Sequence, residues 1–324
     1  MKKILALALA AAMSLTLVAC GGSKTPAASG SASSGGSSSA ETVDFPGNKQ
    51  VSLIVPYSAG GASDTVARIY ASELEQSLGT SIVVSNVTGA SGAIGLEQVR
   101  NSNPDGYTIA YMPVESTMLK ALGFTDLSTD DFRFIGRAMT IPAAVTVRAD
   151  APWDTFEDFV NYAKEHPGEI QVGNSGTGSI WHIAAASIEK ECGVQFTHVP
   201  FDGAAPAVAA LLGGNIQAVT VSPSEVKNNV DSGDFKVLCV LGESRFSVVP
   251  DVPTAQELGI DITIQGWGGF AVPKDTPQAV IDILEKASET AINSDSVKKT
   301  LADRGYEHAY LSGSDMDQIG RAHV

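Results

Sequence analysis

Short apolar runs alternate with longer segments of helical periodicity along most of the chain. The run at residues 51–55, rich in β-branched residues, predicts a buried strand, and residues 65–78 predict a helix with one apolar face. A strand at 81–87, a helix to about Arg100 and a strand at 107–112 repeat this pattern. The β-α-β-α-β order predicts a parallel sheet with right-handed crossovers.

A second set of strands, with helices between most of them, follows later in the sequence. These strands are predicted at residues 143–147, 170–173, 195–199, 216–221 and 235–241. Two successive series predict an α/β fold of two lobes, each a mainly parallel sheet flanked by helices. We place lobe I at residues 46–145 plus 269–324 and lobe II at 146–268. Glycine-rich turns of both lobes then face one cleft, which is a usual place for a ligand.

The turn after the first predicted strand is the centre of the predicted site. Residues 56–64 read PYSAGGASD, so a strand, a glycine turn and the start of a helix follow one another directly. Ser63 or Asp64 can cap this helix by accepting a backbone N–H. Several backbone N–H groups then point into one concave space, where an anion binds without a cationic side chain. We predict that the chain binds a small anion here and does not change it chemically.

The first residues predict export and a lipid anchor. Two lysines and an apolar stretch at 4–18 form a signal peptide over residues 1–19, and LVAC at 17–20 resembles a bacterial lipobox. The lipobox implies cleavage before Cys20 and a lipid on its sulfur; the alternative is an ordinary secretory signal with a chance cysteine. Residues 20–45, rich in Gly, Ser and Ala, predict a flexible tether. The expected location is the periplasm or the outer face of the cell membrane.

Charge and cysteine usage narrow the possible partners. The formal net charge of -15 argues against nucleic acid, whose phosphates need Lys and Arg. It does not exclude a small-anion site, because surface charges more than about 8 Å away are largely screened.

Cys192 and Cys239 have apolar neighbours and do not make a disulfide framework. The five histidines lack the H-E-x-x-H spacing, and we predict no metal, no cofactor and no catalytic residue.

Five motifs in a fixed order are together similar to those of one protein family. They are PYSAGGASD at 56–64, NVTGASGAIG at 86–95, PDGYT at 104–108, GNSGTGS at 173–179 and PDVPT at 250–254. From residue 45 to the end, the chain resembles the substrate-binding proteins of the tripartite tricarboxylate transporters, the Bug or TctC family. The resemblance implies a type II periplasmic-binding (Venus-flytrap) fold. It also implies a small carboxylate ligand, such as a di- or tricarboxylate, and membrane permease subunits as partners.

The same resemblance implies a set of contacts, because this family holds carboxylate oxygens largely through backbone N–H groups and bridging waters. The corresponding loop residues are Ser58, Ala59, Gly60, Gly61, Gly89, Ala90, Ser91 and Gly92 in one lobe, with Ser175, Thr177 and Ser179 in the other. The candidate list also includes Tyr57, Asp64, His182 and Asp202. Asp64 could select a ligand ammonium group or only cap its helix. We interpret His182 as a packed or loop-bracing residue, while Trp181 could line the cleft.

Two other functions remain open from the sequence. The chain could be the ligand-binding partner of a sensor or of another transporter class. It could also be an exported hydrolase, although position 177 is Thr where the G-x-S-x-G nucleophile elbow requires Gly.

The expected protein is a monomer that closes over its ligand by a hinge motion and passes the ligand to its permease.

Overall fold

The computed structural model describes residues 43–322, with side chains up to residue 319. The predicted signal peptide, Cys20 and the tether up to residue 42 lie outside this part. The strands of the described part are β1 Val51–Val55, β2 Ile82–Asn86, β3 Thr108–Pro113, β4 Phe132–Pro142, β5 Ala144–Arg148, β6 Gln171–Asn174, β7 Thr197–Pro200, β8 Ala218–Val221, β9 Phe235–Val240, β10 Gln265–Pro273 and β11 Glu307–Leu311. Its α-helices are α1 Ala62–Leu78, α2 Ala93–Arg100, α3 Phe156–Glu165, α4 Ile180–Cys192, α5 Ala204–Leu212, α6 Pro223–Asp231, α7 Gln278–Ile292, α8 Asp295–Asp303 and α9 Gly313–Ala322.

The strands form two sheets. The first has the order β11-β4-β10-β3-β1-β2 and the second the order β7-β6-β8-β5-β9. Among the strands of residues 43–322, β1 is parallel to β2 and β3, and β6 is parallel to β7 and β8; the other neighbouring strand pairs are antiparallel. The two-lobed α/β architecture is therefore confirmed, but the prediction of mainly parallel sheets is wrong. Each βαβ series is parallel as expected, and the strands that carry the chain between the lobes add antiparallel pairs.

The chain changes sheet at two neighbouring places. Ala143 separates β4 of the first sheet from β5 of the second, and the chain returns to the first sheet at β10. The two crossings are hydrogen-bonded to each other: the Ala143 N–H donates to the Ile264 carbonyl at 2.9 Å, and the Leu241 N–H to the Ala143 carbonyl at 2.7 Å. These crossings are where a hinge between the lobes has to bend. The exact lobe boundaries given above stay a prediction.

The apolar runs of the sequence become strands that are buried on both faces. In β1, Leu53 packs into the larger core cluster, whereas Ile54 packs into a second cluster on the opposite side. Helix α1 covers the first face with Tyr70, which stacks on Phe270 of β10 with ring centroids 3.6 Å apart. This double coverage explains why β1 has no polar alternation. No helix within residues 43–322 has the length and apolar character needed to cross a membrane.

Candidate ligand-binding cleft

The loops predicted to bind the ligand follow the carboxyl ends of parallel strands in both lobes. In the first lobe β1 and β2 lead into the two glycine-rich loops, which begin near Tyr57 and Gly89. In the second lobe β6 leads into the loop at 175–179 and β7 into the turn at Asp202. Open α/β sheets place their ligand crevice at this end of the strands. The structure brings these loops face to face across one cleft.

Two cavities occupy this cleft and share Tyr57 and Ser175 as lining residues. The inner cavity has a volume of about 40 Å³. At roughly 10–15 Å³ for one water, it has room for about three water-sized groups. The outer cavity has a volume of about 320 Å³. The inner walls include Ser58, Gly61, Ser63, Tyr111, Glu115, Trp181, Glu225 and Trp267, and the outer walls include Gly89, Ala90, Ser91, Gly92, Phe124, Gly176, Thr177, Phe201 and Asp202.

The first glycine loop is braced by Asp64 from inside its own lobe. The prediction that Ser63 or Asp64 is the N-cap is wrong, because helix α1 begins at Ala62 and its N-cap residue is Gly61, which has an extended conformation. Asp64 lies one turn inside the helix, and its carboxylate accepts the Gly60 N–H at 2.9 Å and the Asn86 amide at 3.0 Å. Burial alone would raise the pKa of Asp64, but hydrogen bonds from Arg68, Gly60 and Asn86 outweigh it and lower the pKa. Asp64 therefore shapes the loop, while Ala59 and Gly60 lie on its exposed turn.

The second glycine loop has an unusual backbone and touches the other lobe. Its four residues all have positive φ: +123° at Gly89, +47° at Ala90, +50° at Ser91 and +98° at Gly92. The Tyr57 hydroxyl donates to the Ser91 carbonyl at 3.0 Å, and the Ser91 hydroxyl donates across the cleft to the Thr177 carbonyl at 2.6 Å. Non-glycine residues in this region are strained, and such strain clusters at functional sites. The loop is thus held in place from both lobes.

The predicted residues of the second lobe divide into lining residues and supporting residues. Ser175, Thr177 and Asp202 line the cavities, and the Asp202 carbonyl accepts the Ser58 N–H across the cleft at 3.0 Å. Ser179 is fully buried and caps α4 by accepting the His182 N–H at 3.2 Å. The His182 ring accepts the Gly178 N–H at 3.0 Å, and burial lowers the pKa of His182. Ser179 and His182 thus brace the loop from behind the cavity walls.

Two glutamates that the sequence interpretation missed lie in the inner cavity and join the lobes. Glu225 of α6 accepts the Ala62 N–H at 2.9 Å, so a carboxylate of the second lobe lies at the N-terminus of helix α1. Glu115 follows β3 and accepts the Ile180 N–H at 2.9 Å, at the N-terminus of α4. Each lobe therefore supplies an anionic group to a helix start of the other, where unpaired N–H groups and the helix dipole favour negative charge.

Burial dominates the protonation of both glutamates. The pKa of Glu225 is raised to about 7, and burial is the largest cause. Backbone hydrogen bonds from Ala62 and Ser222 lower this pKa, whereas the charge of Glu115 raises it. The pKa of Glu115 is raised as well, mainly by burial and despite the backbone hydrogen bond that it accepts from Ile180. Two neighbouring carboxyl groups in a small enclosed space disfavour each other's charge.

Both glutamates leave a signal in the sequence that the pattern analysis did not use. Ser222, Pro223 and Glu225 form the S-x-x-E capping box with Pro at the first helical position, and the box forms as such, with the Ser222 N–H donating to Glu225 at 3.1 Å. Glu115 lies two residues after the end of the buried strand β3, at the same edge of the sheet as the glycine loops. A search of all strand ends, and not only of the glycine-rich ones, would have found both.

Glycines allow the two lobes to meet closely enough to form these bonds. A Cβ at Gly176 would lie 2.7 Å from the Ser91 hydroxyl oxygen, and one at Gly203 would lie 3.2 Å from the Ser58 nitrogen and closer still to its hydroxyl. Gly203 also has a φ of +149°, which other residues rarely adopt. The hydrogen bonds described above that join Ala62 to Glu225, Ser91 to Thr177, Ile180 to Glu115 and Ser58 to Asp202 across the cleft make this conformation a closed one.

Comparisons with known proteins identify the family to which this fold belongs. The family whose model matches residues 66–323 is described as the tripartite tricarboxylate transporter family receptor, TctC. A UPF0065 protein in the TAR-I ttuE-ttuC' intergenic region of Agrobacterium vitis is 30% identical over 270 residues, 82% of this chain and 78% of that protein. The crystal structure of a TctC solute binding protein from Polaromonas is 40% identical with a TM-score of 0.63, covering 86% of this chain and 96% of the other. The R. palustris protein Rpa4515 with adipate is 27% identical with a TM-score of 0.80, covering 86% and 95%.

Proposed function

Because this chain belongs to the tripartite tricarboxylate transporter receptor family, we propose that it captures a small organic carboxylate between its lobes and delivers it to the membrane permease of such a transporter. It is a substrate-binding protein rather than an enzyme, as its family and structural neighbours are. The protein acts outside the cytoplasm as a monomer, anchored by a lipid on Cys20. The alternatives of a sensor partner or of another transporter class fit the family match less well.

The meeting of the glycine loops at one cavity carries this proposal. A carboxylate needs several hydrogen-bond donors at once, and loops that follow parallel strands present backbone N–H groups without any cationic side chain. Gly61 lines the inner cavity, and its N–H has no protein acceptor within residues 43–322. The hydroxyl oxygen of Ser58, which lines the same cavity, is enclosed and unpaired in the described part of the chain. These groups are available to ligand oxygens. The candidate residues of the loops stay predictions until a ligand is seen.

Binding of a carboxylate is expected to stabilise the purified chain against heat. At a ligand concentration 100 times the dissociation constant, the free energy of unfolding rises by about 2.7 kcal/mol, which corresponds to a Tm increase of roughly 5 °C or more for a protein of this size. The measurement is a thermal-shift screen of adipate, succinate, malate, citrate, benzoate and the common amino acids, followed by calorimetric titration. A flat response to every one of these acids contradicts the proposal.

The lipid anchor is tested separately from ligand binding. In cells fed labelled palmitate, the protein is expected to incorporate the label and to sediment with membranes, and Cys20→Ala is expected to remove both properties because the thioether sulfur is gone. Cys192→Ala serves as the control, since Cys192 is a free cysteine of the folded domain. Labelled protein in the Cys20→Ala strain, or unlabelled wild type, is the result that excludes lipidation.

A further inference from the structure

The charge of the inner cavity is opposite to what a di- or tricarboxylate needs. Among the described residues that line it, the ionisable acids are Glu115 and Glu225, and none is Lys, Arg or His. A ligand whose two ends are both carboxylates would bring two negative charges to a cavity that already holds two acids, with no ammonium group to offset them. A ligand with two like, anionic ends therefore fits this cavity poorly.

Two of the helix starts that face the cleft, those of α1 and α4, are already occupied by anionic groups. Glu225 takes the N–H of Ala62, the first residue of α1, and Glu115 takes the N–H of Ile180, the first residue of α4. A ligand carboxylate would have to displace these side chains to reach the same N–H groups. What the two glutamates still offer to a ligand is acceptor capacity, because each carboxylate oxygen can accept more than one hydrogen bond.

The remaining lining groups complete a site for unlike charges. The enclosed Ser58 hydroxyl without a partner and the Gly61 N–H can donate to a ligand carboxylate. Tyr57, Tyr111, Trp181 and Trp267 line the same cavity as the glutamates, and aromatic rings near a cation stabilise it. The volume of about 40 Å³ admits a group as small as an ammonium ion, while the outer cavity of about 320 Å³ has room for the rest of a small molecule.

We propose that the ligand of this cleft is an amino acid, a carboxylate that also carries an ammonium group, with the ammonium bound between Glu115 and Glu225. The carboxylate of the same ligand is bound by the Ser58 hydroxyl, the Gly61 N–H and the glycine loops. This inference rests on the proposed function and specifies its ligand class. The raised pKa of Glu225, about 7, fits a carboxyl group that takes up either a proton or a cationic partner.

The test compares acids of equal chain length that differ only in whether they carry an ammonium group, a second carboxylate or neither. Calorimetric titration of the purified full chain uses hexanoate, adipate, 2-aminohexanoate and 6-aminohexanoate, and the four-carbon series butanoate, succinate, 2-aminobutanoate and 4-aminobutanoate. We expect at least one amino-bearing member to bind tenfold or more tightly than both the plain acid and the dicarboxylate of its length. The same amino acid should lose at least tenfold in affinity in Glu225→Gln and in Glu115→Gln.

The variants are chosen so that folding is preserved. Glutamine also suits the third helical position of a capping box, where its one side-chain oxygen can accept the Ser222 N–H or the Ala62 N–H. Glu243→Gln, at an exposed glutamate outside the cleft, is the control and should bind like the wild type. A purely structural role of Glu225 would lower the affinity for every acid alike. The proposed role lowers it for amino acids only, and leaves or improves the affinity for the dicarboxylate.

Each outcome has one meaning. Dicarboxylates that bind as tightly as their amino counterparts, or Gln variants that keep the preference for the amino acid, overturn the ammonium site and leave the proposed function in place. Absence of binding by all eight acids and by the wider panel above overturns the proposed function together with this inference. A tenfold preference that disappears in both Gln variants supports it.

Discussion

Replacing Gly203 with alanine is expected to weaken ligand binding by about a hundredfold. In the closed cleft the added methyl group meets the Ser58 hydroxyl and lies 3.2 Å from the Ser58 nitrogen, which donates to the Asp202 carbonyl in the other lobe. Overpacking of this kind costs about 1–3 kcal/mol, and nearly all of it falls on the closed state, since open lobes separate the two residues. A cost of about 2.7 kcal/mol corresponds to a factor of 100 in the dissociation constant.

The control for this variant is another glycine of the second lobe that has positive φ but no neighbour. Gly168 has a φ of +79°, and a Cβ there would meet nothing within 4 Å. Gly168→Ala should therefore lose some stability through backbone strain but keep its ligand affinity. Calorimetric titration measures the affinities, and small-angle scattering with and without ligand measures closure. An affinity of Gly203→Ala within threefold of the wild type would show that closure at this point is not needed.

The ligand-free protein is expected to be less stable at pH 8 than at pH 5, by up to about 3 kcal/mol from Glu225 alone. The pKa of Glu225 is raised in the fold from 4.5 to about 7, and one pKa unit corresponds to about 1.4 kcal/mol. Below pH 4.5 the carboxyl group is protonated in both the folded and the unfolded chain, so it does not lower the free energy of unfolding. Between pH 4.5 and 7 the unfolded chain ionises while the folded one keeps its proton, so stability falls as the pH rises, and above pH 7 the full cost remains.

Comparison with Glu225→Gln isolates this contribution from the rest of the acidic chain. The groups that face Glu225 are Glu115 from the other lobe and the buried tyrosines Tyr57, Tyr111 and Tyr306. Urea unfolding followed by tryptophan fluorescence at pH 5 and pH 8 gives the free energy of unfolding, and Glu243→Gln is the matched control. The decrease in the free energy of unfolding from pH 5 to pH 8 should be smaller in Glu225→Gln, by up to about 3 kcal/mol. An equal loss in both proteins would place the effect elsewhere.

The cleft could be located from the sequence because its loops follow apolar runs directly. Strand β1 ends at Val55, two residues before Tyr57, so the periodicity alone places the first glycine loop at a strand end. The same reasoning finds the loops at Gly89 and Ser175. These features are local, since a strand, a turn and a helix start lie within about fifteen residues of one another. The family resemblance then placed the loops of the two lobes around one carboxylate.

The features that escaped prediction depend on residues far apart in the chain. The direction of β10 relative to β3 and β4 is set by its return from the second lobe, which no local pattern shows. Glu225 lies 163 positions from Ala62, and only the fold brings its carboxylate to that helix start. Ser179 has the residue type of a ligand contact, but its hydroxyl faces the backbone of α4 as a cap. Residue type suggests a role, and position within the helix decides it.

The place of β10 in the first sheet has a consequence for how this protein is made. β10 lies between β3 and β4 and pairs with both. A ribosome releases those two strands long before it releases residues 265–273, so the nascent first sheet has a gap in its middle while the whole second lobe is being synthesised. Unpaired strand edges of this kind expose a newly made chain to aggregation, which is one reason why cells have chaperones. The topology thus delays completion of the fold until nearly the entire chain is available, a delay that would favour the export proposed above.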